Sequence, residues 1–183
     1  MNNNNNNYLT LEYIFITSML IALSGMILIY AVSYYFAYDG FSLVEGSFIQ
    51  LIIFMITLLS TSALLFLSLK KYTAVTAIKH IKKRYYIGGI FLLSAVFIFL
   101  IDVFMHAVVD QTLSVRYAEM MMFVSKHYHQ PMGKSMEQIS RIPFVVQNAL
   151  IIIAGLLFGN VLSVVLFNRY QKEKSSNNLQ IIS

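Results

Sequence analysis

Two acids and a histidine recur at four-residue steps at the end of one apolar run. The run covers residues 85–110 and contains Asp102 and His106 before it ends at Asp110. A helix places residues four apart on one face, so these three side chains are expected to share a face. Ionisable groups inside a membrane-crossing helix indicate a proton or cation site. The structural alternative is an Asp–His hydrogen bond, or a polar contact with another helix, that only orients the bundle.

Histidines that lie on one side of the predicted membrane raise the question of a metal site. His127 and His129 follow the third apolar run and lie on the same side of the predicted membrane as His106. Together with nearby acids they are candidate ligands for zinc or another divalent ion, because imidazole and carboxylate groups bind such metals. Residues two apart point away from each other on a helix, however, which favours solvated loop side chains. We therefore predict neither a metal ion nor another cofactor.

The composition is that of a membrane protein. Hydrophobic residues make up 58% of the chain and charged residues 11%, against roughly 25% charged in an average globular protein. The absence of cysteine excludes disulfides, thiolate metal sites and cysteine nucleophiles. The sequence contains no glycine-rich phosphate loop, GxSxG elbow or HExxH helix, so no enzymatic activity is predicted. The net charge of +5 comes from basic residues that flank apolar runs, which indicates membrane topology and no nucleic-acid partner.

Four stretches are long enough to cross a bilayer, which takes about 20 apolar residues of helix. The predicted spans are residues 13–35, 48–69, 87–109 and 144–167. The asparagine-rich residues 1–8 are expected to be disordered, residues 9–170 to form the transmembrane domain, and residues 171–183 to form a polar tail. Pro143 suits the first turn of the fourth helix, where its missing N–H costs nothing. The predicted fold is an all-α polytopic bundle of four transmembrane helices.

Basic residues indicate how the four spans are oriented. They concentrate in the second loop and in the tail, at Lys70, Lys71, Lys79, Lys82, Lys83, Arg84, Arg169, Lys172 and Lys174. The first loop holds no Lys or Arg. By the positive-inside rule, both termini and the second loop are therefore expected to face the cytoplasm.

The outer segment 111–142 is expected to form amphipathic helices. Apolar residues recur there at three- and four-residue steps, at Leu113, Tyr117, Met120, Val124 and Tyr128. This helix is expected to lie on the outer leaflet or to cap the bundle. Its consecutive methionines, residues 120–122, provide an adaptable surface for apolar partners. After Pro131, Ser135 and Gln138 resemble a capping box that opens a second short helix.

The fourth run combines small residues with two amides. Gly155, Gly159 and Ser163 follow at four-residue steps, and small side chains let helix backbones approach closely. This face is expected to pack against another span or against a second copy of the chain. Gln147 and Asn148 enter the same run near its outer end, where they are candidates to hydrogen-bond with the acid of the third run.

Three segments together resemble a known family. They are the basic loop and aromatic-glycine start of the third run (KKRYYIGGIFLL), the outer segment (YAEMMMFVSKHYHQPMGKSMEQ), and the last helix with its basic tail (AGLLFGNVLSVVLFNRYQKEK). The layout is similar to that of DUF4199, a family of uncharacterised four-helix bacterial membrane proteins. The resemblance implies a location in the bacterial inner membrane, and it implies no activity, substrate or catalytic residue.

The residues are compatible with three functions. The interpretation we adopt is a non-enzymatic binding or scaffold protein whose outer segment and small-residue face bind a membrane protein partner, lipid or another copy of itself. The first alternative is a small oligomeric transporter or proton-coupled carrier that uses Asp102 and His106. The second is a metal-dependent enzyme on the outer face, which requires His106 to converge with His127 or His129. The lipid bilayer is a partner on any of these interpretations.

Overall fold

The computed structural model describes residues 3–38, 43–75, 80–109, 111–127 and 141–180. Within these ranges it describes the side chains of residues 10–36, 48–73, 83–109, 111–119 and 141–176. The elements are α1 (Asn3–Tyr38), α2 (Leu43–Val75), α3 (His80–Phe104), a π-helical turn (Met105–Val109), α4 (Thr112–His127), α5 (Phe144–Gln147) and α6 (Ala149–Gln180). No strand occurs in the described ranges.

Four helices contain segments long and apolar enough to span a membrane. These segments are Thr10–Phe36, Phe48–Thr73, Lys83–Val109 and Ala149–Ser176. The prediction of an all-α polytopic bundle is therefore confirmed, and the predicted amphipathic helix of the outer segment is present as α4. The second short helix predicted after Pro131 lies outside the described residues.

Two helix starts differ from the sequence-based expectation. α1 begins at Asn3, inside the stretch expected to be disordered, because no Gly or Pro interrupts the chain there and a formed helix extends one hydrogen bond at a time. The fourth run forms two helices with a break at Asn148. Pro143 precedes α5 as its N-cap, with an extended ψ of 147°, so it lies outside the first helical turn.

The four spans pack as two parallel pairs. α1 packs against both α2 and α3, and α2 packs against α6. Ser18 Oγ of α1 donates to the carbonyl of Ile90 on the parallel α3, at 3.3 Å. Thr17 Oγ1 of α1 lies 2.7 Å from Ser68 Oγ on the antiparallel α2. Of the four spans, α1 has the largest share of buried residues.

The small-residue face of α6 lies against α2 within the same chain. A Cβ atom added to Gly155 would lie 2.8 Å from Thr57 Cβ, and one added to Gly159 would lie 2.8 Å from the carbonyl oxygen of Leu58. Such approaches are possible only without a side chain, so the two backbones are in direct contact. Of the two expected partners for this face, another span and a second copy, the structure places another span there.

The two ends of the bundle differ in the groups they carry. Lys70, Lys71 and Lys83 lie at one end, where each ammonium group packs over an aromatic ring. We call this the basic end. The opposite end of α3 carries Asp102, and we call it the Asp102 end. α4 packs across the Asp102 end, against α1 and α2, and its own residues Leu113 and Tyr117 are buried.

Candidate functional site

Asp102 is fully buried and all of its described hydrogen-bond partners come from other helices. Its side chain is 0% exposed. Oδ1 accepts a hydrogen bond of 2.6 Å from the hydroxyl of Tyr30 on α1. Oδ2 accepts from the backbone N–H groups of Val145 and Val146 in α5, at 3.0 Å and 3.3 Å. One carboxyl group therefore joins α1, α3 and the start of the fourth run.

The start of α5 explains why a carboxyl group is needed there. The first N–H groups of any helix have no partner within it, and they carry the positive end of the helix dipole. Pro143, the N-cap residue, makes no side-chain hydrogen bond to them. Asp102 supplies the missing acceptor from α3, because it is the last of the buried residues that recur at four-residue steps along that helix. That stripe consists of Tyr86, Ile90, Ser94, Ile98 and Asp102.

A second polar cluster lies under α4. The hydroxyl of Tyr117 accepts a hydrogen bond of 3.0 Å from Gln50 Nε2 and donates one of 2.8 Å to Asn148 Oδ1. Asn148 Nδ2 in turn donates to the carbonyl of Phe144 at 3.0 Å. This side-chain bond lies at the break between α5 and α6, where Asn148 is the C-cap of α5. Burial raises the pKa of Tyr117, more than its hydrogen bonds lower it, so its hydroxyl stays protonated and can donate.

The ring of Phe144 connects the two clusters. It packs edge-on against the ring of Tyr30 at 6.2 Å and against that of Tyr117 at 5.1 Å between ring centroids. Phe144 is 0% exposed and directly precedes the two residues that donate to Asp102. The position of α4 and the position of the Asp102 carboxyl therefore depend on the same buried side chain.

His106 has a different partner from the one its spacing predicts. It lies in the π-helical turn, where its Nδ1 is 3.1 Å from Ser114 Oγ of α4. A π turn adds a residue to the helical repeat, so the four-residue register from Asp102 is not kept beyond it. Asp110 lies outside the described residues. What the structure shows at Asp102 is a polar contact with other helices, the second of the structural alternatives.

The two predicted amides directly follow the residues that donate to Asp102, but they are bonded elsewhere. Gln147 Nε2 donates to the carbonyl of Ile142 at 2.8 Å, and both polar atoms of Asn148 are used in the Tyr117 cluster. The expectation that Asn148 bonds to Asp102 is therefore wrong. The reason is that the chain turns at Pro143 and presents backbone N–H groups to the carboxyl, ahead of the amide side chains.

The metal-site candidates lie only in part within the described region of the chain. There, no group of three or more His, Asp or Glu residues is arranged to hold a metal ion. His127 is the last residue of α4, and its side chain lies outside the described set. His129 lies outside the described residues altogether. Ser163, the third small residue of α6, is 0% exposed.

Sequence reasoning missed two tyrosines and a hydroxyl cluster. Tyr30 was not singled out, and Tyr117 was expected only as part of an apolar repeat, yet each supplies a buried hydroxyl. At the basic end, the hydroxyl of Ser68 bonds to both Thr17 and Tyr86. The ring of Tyr86 stacks on that of Tyr72, with centroids 4.5 Å apart.

The four apolar helices and the buried polar contacts between them define a multi-pass integral membrane protein. Comparison of the chain with models of known families, with curated proteins and with solved structures finds no match.

Proposed function

We propose that the protein is a non-enzymatic binding or scaffold protein of the bacterial cytoplasmic membrane, with both termini in the cytoplasm. The observation that carries this proposal is the structural use of Asp102, which is the acid placed deepest in the described spans. The bacterial membrane rests on the resemblance in layout, and the orientation rests on the basic end. On this orientation the Asp102 end and α4 face outward.

Asp102 has the environment of a structural residue. A carboxyl group that carries protons or ions must exchange with water, and this one is 0% exposed. Its two oxygens accept three hydrogen bonds from donors on two other elements. Three hydrogen bonds to one buried side chain hold these elements in one arrangement.

The outward face of α4 is the surface proposed to bind a partner. Leu113, Tyr117 and Ala118 are buried against the bundle, whereas Arg116 and Glu119 on the other side of the helix are exposed. The Tyr117 cluster and Phe144 fix this helix to the spans, so it presents a rigid polar surface to the aqueous phase. Pre-organised surfaces of this kind bind with a smaller loss of conformational freedom.

Photo-crosslinking combined with native mass spectrometry tests the proposal. A photoreactive amino acid at Glu119 is expected to capture a protein, a lipid or a second copy of the chain. The same amino acid at Leu100, an exposed apolar residue of α3, is the matched control that reports contact with bulk lipid. A monomer without partners in mild detergent, together with identical crosslinks at both positions, would contradict a binding role for α4.

The competing function is a proton-coupled carrier that uses Asp102 and His106. Its test is uptake by proteoliposomes with the Asp102→Asn variant, which keeps the size of the side chain and removes its charge. On the scaffold proposal, any solute flux is unchanged by this substitution. Loss of proton-coupled uptake in a variant that remains folded would support the carrier and overturn the proposed role of Asp102.

A further inference from the structure

The middle of the bundle contains buried polar atoms that are not paired. Thr61 and Ser94 are each 1% exposed and Asn160 is 7% exposed. Five buried side-chain atoms of the described residues have no hydrogen-bond partner. Three of them, Thr61 Oγ1, Ser94 Oγ and Asn160 Oδ1, belong to α2, α3 and α6, and the other two are Ser33 Oγ, further toward the Asp102 end of α1, and Ser163 Oγ, further toward the basic end of α6. Buried polar atoms that are left unpaired are unfavourable, and in native proteins they indicate an unseen partner such as ordered water.

The hydroxyl groups of this set differ from other buried hydroxyl groups in the spans. Thr57, one turn before Thr61, donates to the carbonyl of Ile53 at 2.7 Å. Ser18 in α1 donates to the carbonyl of Ile14 at 2.7 Å and shares the same proton with that of Ile90 at 3.3 Å. Bonding to the carbonyl four residues earlier is the usual solution for Ser and Thr within a helix. Thr61 and Ser94 do not use it, so their hydroxyl groups are available to another partner.

The helix registers bring these residues to one level. Thr17 is bonded to Ser68, so Gly25 of α1 is level with Ser60 of the antiparallel α2, next to Thr61. Gly159 contacts Thr61 directly, and Asn160 follows it. Ser18 is bonded to the carbonyl of Ile90, which places Ser94 within about one helical turn, or about 5.4 Å, of the level of Gly25.

We call the residues Gly25, Thr61, Ser94 and Asn160 the middle layer, because each lies near the midpoint of its span. Gly25 provides the space in this layer. It is buried, and it lies on the face of α1 that also carries Ile21, Ala22 and Ile29, all of which are 0–1% exposed. A Cβ atom added to Gly25 would have no neighbouring atom within 4 Å. A methyl group therefore fits there, and a water molecule is smaller than a methyl group.

From these observations we propose that the middle layer binds an ordered water molecule beside Gly25, which bridges the hydroxyl groups of Thr61 and Ser94 and the amide oxygen of Asn160. The inference goes beyond the proposed function and does not depend on it. Asn160 Nδ2 already donates to the carbonyl of Leu156 at 2.7 Å, so its free oxygen needs a donor. Water can donate to that oxygen and also accept from the two hydroxyl groups, which gives it about the three partners typical of buried water.

Water suits this layer better than an ion. Within the described spans, the acidic and basic residues lie outside the middle layer, and Asp102, the one nearest along α3, is already bonded to Tyr30 and α5. An ion without a counter-charge is strongly disfavoured halfway across a membrane. A neutral partner that both donates and accepts satisfies the same oxygen atoms without that penalty.

Water-edited solid-state NMR in proteoliposomes tests the proposal, with threonine and asparagine labelled by ¹³C. Thr61 and Thr57 form an internal comparison, because they are buried residues of one type, one turn apart on one helix. Magnetisation from water is expected to reach Thr61 and Asn160 several-fold faster than Thr57. In the Gly25→Ala variant the methyl group takes the place of the water, so Thr61 and Asn160 should become as slow as Thr57.

Gly88→Ala is the matched control, because Gly88 also has open space at its Cβ position but lies on the exposed side of α3. It should leave the fast transfer to Thr61 unchanged. Ser94→Ala removes one partner while adding no volume, and it should slow the transfer even if Gly25→Ala does not fold. Equal transfer to Thr57 and Thr61 in the wild-type protein would overturn the proposal, as would fast transfer to Thr61 that survives in both Gly25→Ala and Ser94→Ala.

Discussion

The α2–α6 interface and the Asp102 end hold the same bundle together in opposite ways. At the α2–α6 interface the contact depends on shape, since Gly155 and Gly159 bring two backbones against each other. At the Asp102 end the contact depends on polarity, since one carboxyl group receives donors from α1 and α5. Lipid is as apolar as the helix surfaces, so close packing and polar contacts must supply what the hydrophobic effect supplies in water.

The two regions should therefore respond to different substitutions. The α2–α6 interface should be sensitive to added side-chain volume. The Asp102 end should be more sensitive to the loss of a hydrogen-bond acceptor than to a change in side-chain size. The predictions below start with the largest expected effect and test this contrast through the free energy of unfolding, measured by SDS titration in mixed micelles with circular dichroism as the readout.

Asp102→Leu should have the largest effect. It keeps the number and branching of the side-chain heavy atoms but leaves the Tyr30 hydroxyl and the N–H groups of Val145 and Val146 without their acceptor. A buried donor left without an acceptor costs about 1–3 kcal/mol, and three donors are left here, so a loss of about 3 kcal/mol or more is expected. Asp102→Asn is the control: its amide can still accept from α5 and can donate to Tyr30, so the loss should be clearly smaller. Equal losses for the two variants would contradict a polar role for this end.

Gly159→Ala should have the next largest effect, because its methyl group would lie 2.8 Å from both the Leu58 carbonyl oxygen and Thr61 Cβ. Overpacking of this kind costs about 1–3 kcal/mol. The same substitution at Gly88, which has open space around it, is the matched control and should not destabilise the protein. If Gly159→Ala and Gly88→Ala behaved alike, the α2–α6 contact would not be as close as described.

Tyr117→Phe should show a moderate effect at the Asp102 end. The substitution removes only the hydroxyl group, but it leaves Gln50 Nε2 and Asn148 Oδ1 without their described partner. A loss of about 1–2 kcal/mol is expected for buried polar groups left unpaired. Tyr35→Phe serves as the comparison, because Tyr35 is 72% exposed and should be almost insensitive. A neutral Tyr117→Phe would show that α4 is held by apolar contacts alone.

Gly89→Ala should have the smallest effect, although it also lies at a helix contact. Its added Cβ would meet side-chain atoms of Ile14 at 3.4 Å, an ordinary van der Waals distance. Alanine favours a helix over glycine by up to about 1 kcal/mol, so the variant should be unchanged or slightly more stable. A destabilisation as large as that of Gly159→Ala would mean that α1 and α3 are packed as closely as α2 and α6.

The amino-acid pattern was enough to predict the spans, the amphipathic α4 and the small-residue face of α6. Each of these depends on a local repeat of apolar or small residues, which a helix places on one face. The partners of Asp102 were not predictable in this way. Tyr30 is far from Asp102 in the chain. The other donors are backbone N–H groups, which cannot be recognised from the type of residue that carries them. The π turn that begins at Met105 also contains His106, so His106 does not continue the regular α-helical register from Asp102 on which their grouping rested.

The late position of α6 in the chain has a consequence for synthesis. When the first three spans have entered the membrane, Asp102 has Tyr30 but lacks the N–H groups of Val145 and Val146, and Thr57 and Thr61 lack the glycines that cover them. A chain at this stage leaves a carboxyl group without two of its donors and the polar face of α2 uncovered. Insertion of α5 and α6 covers both at once, so the polar contacts of α2 and α3 are complete only after these later helices are in place.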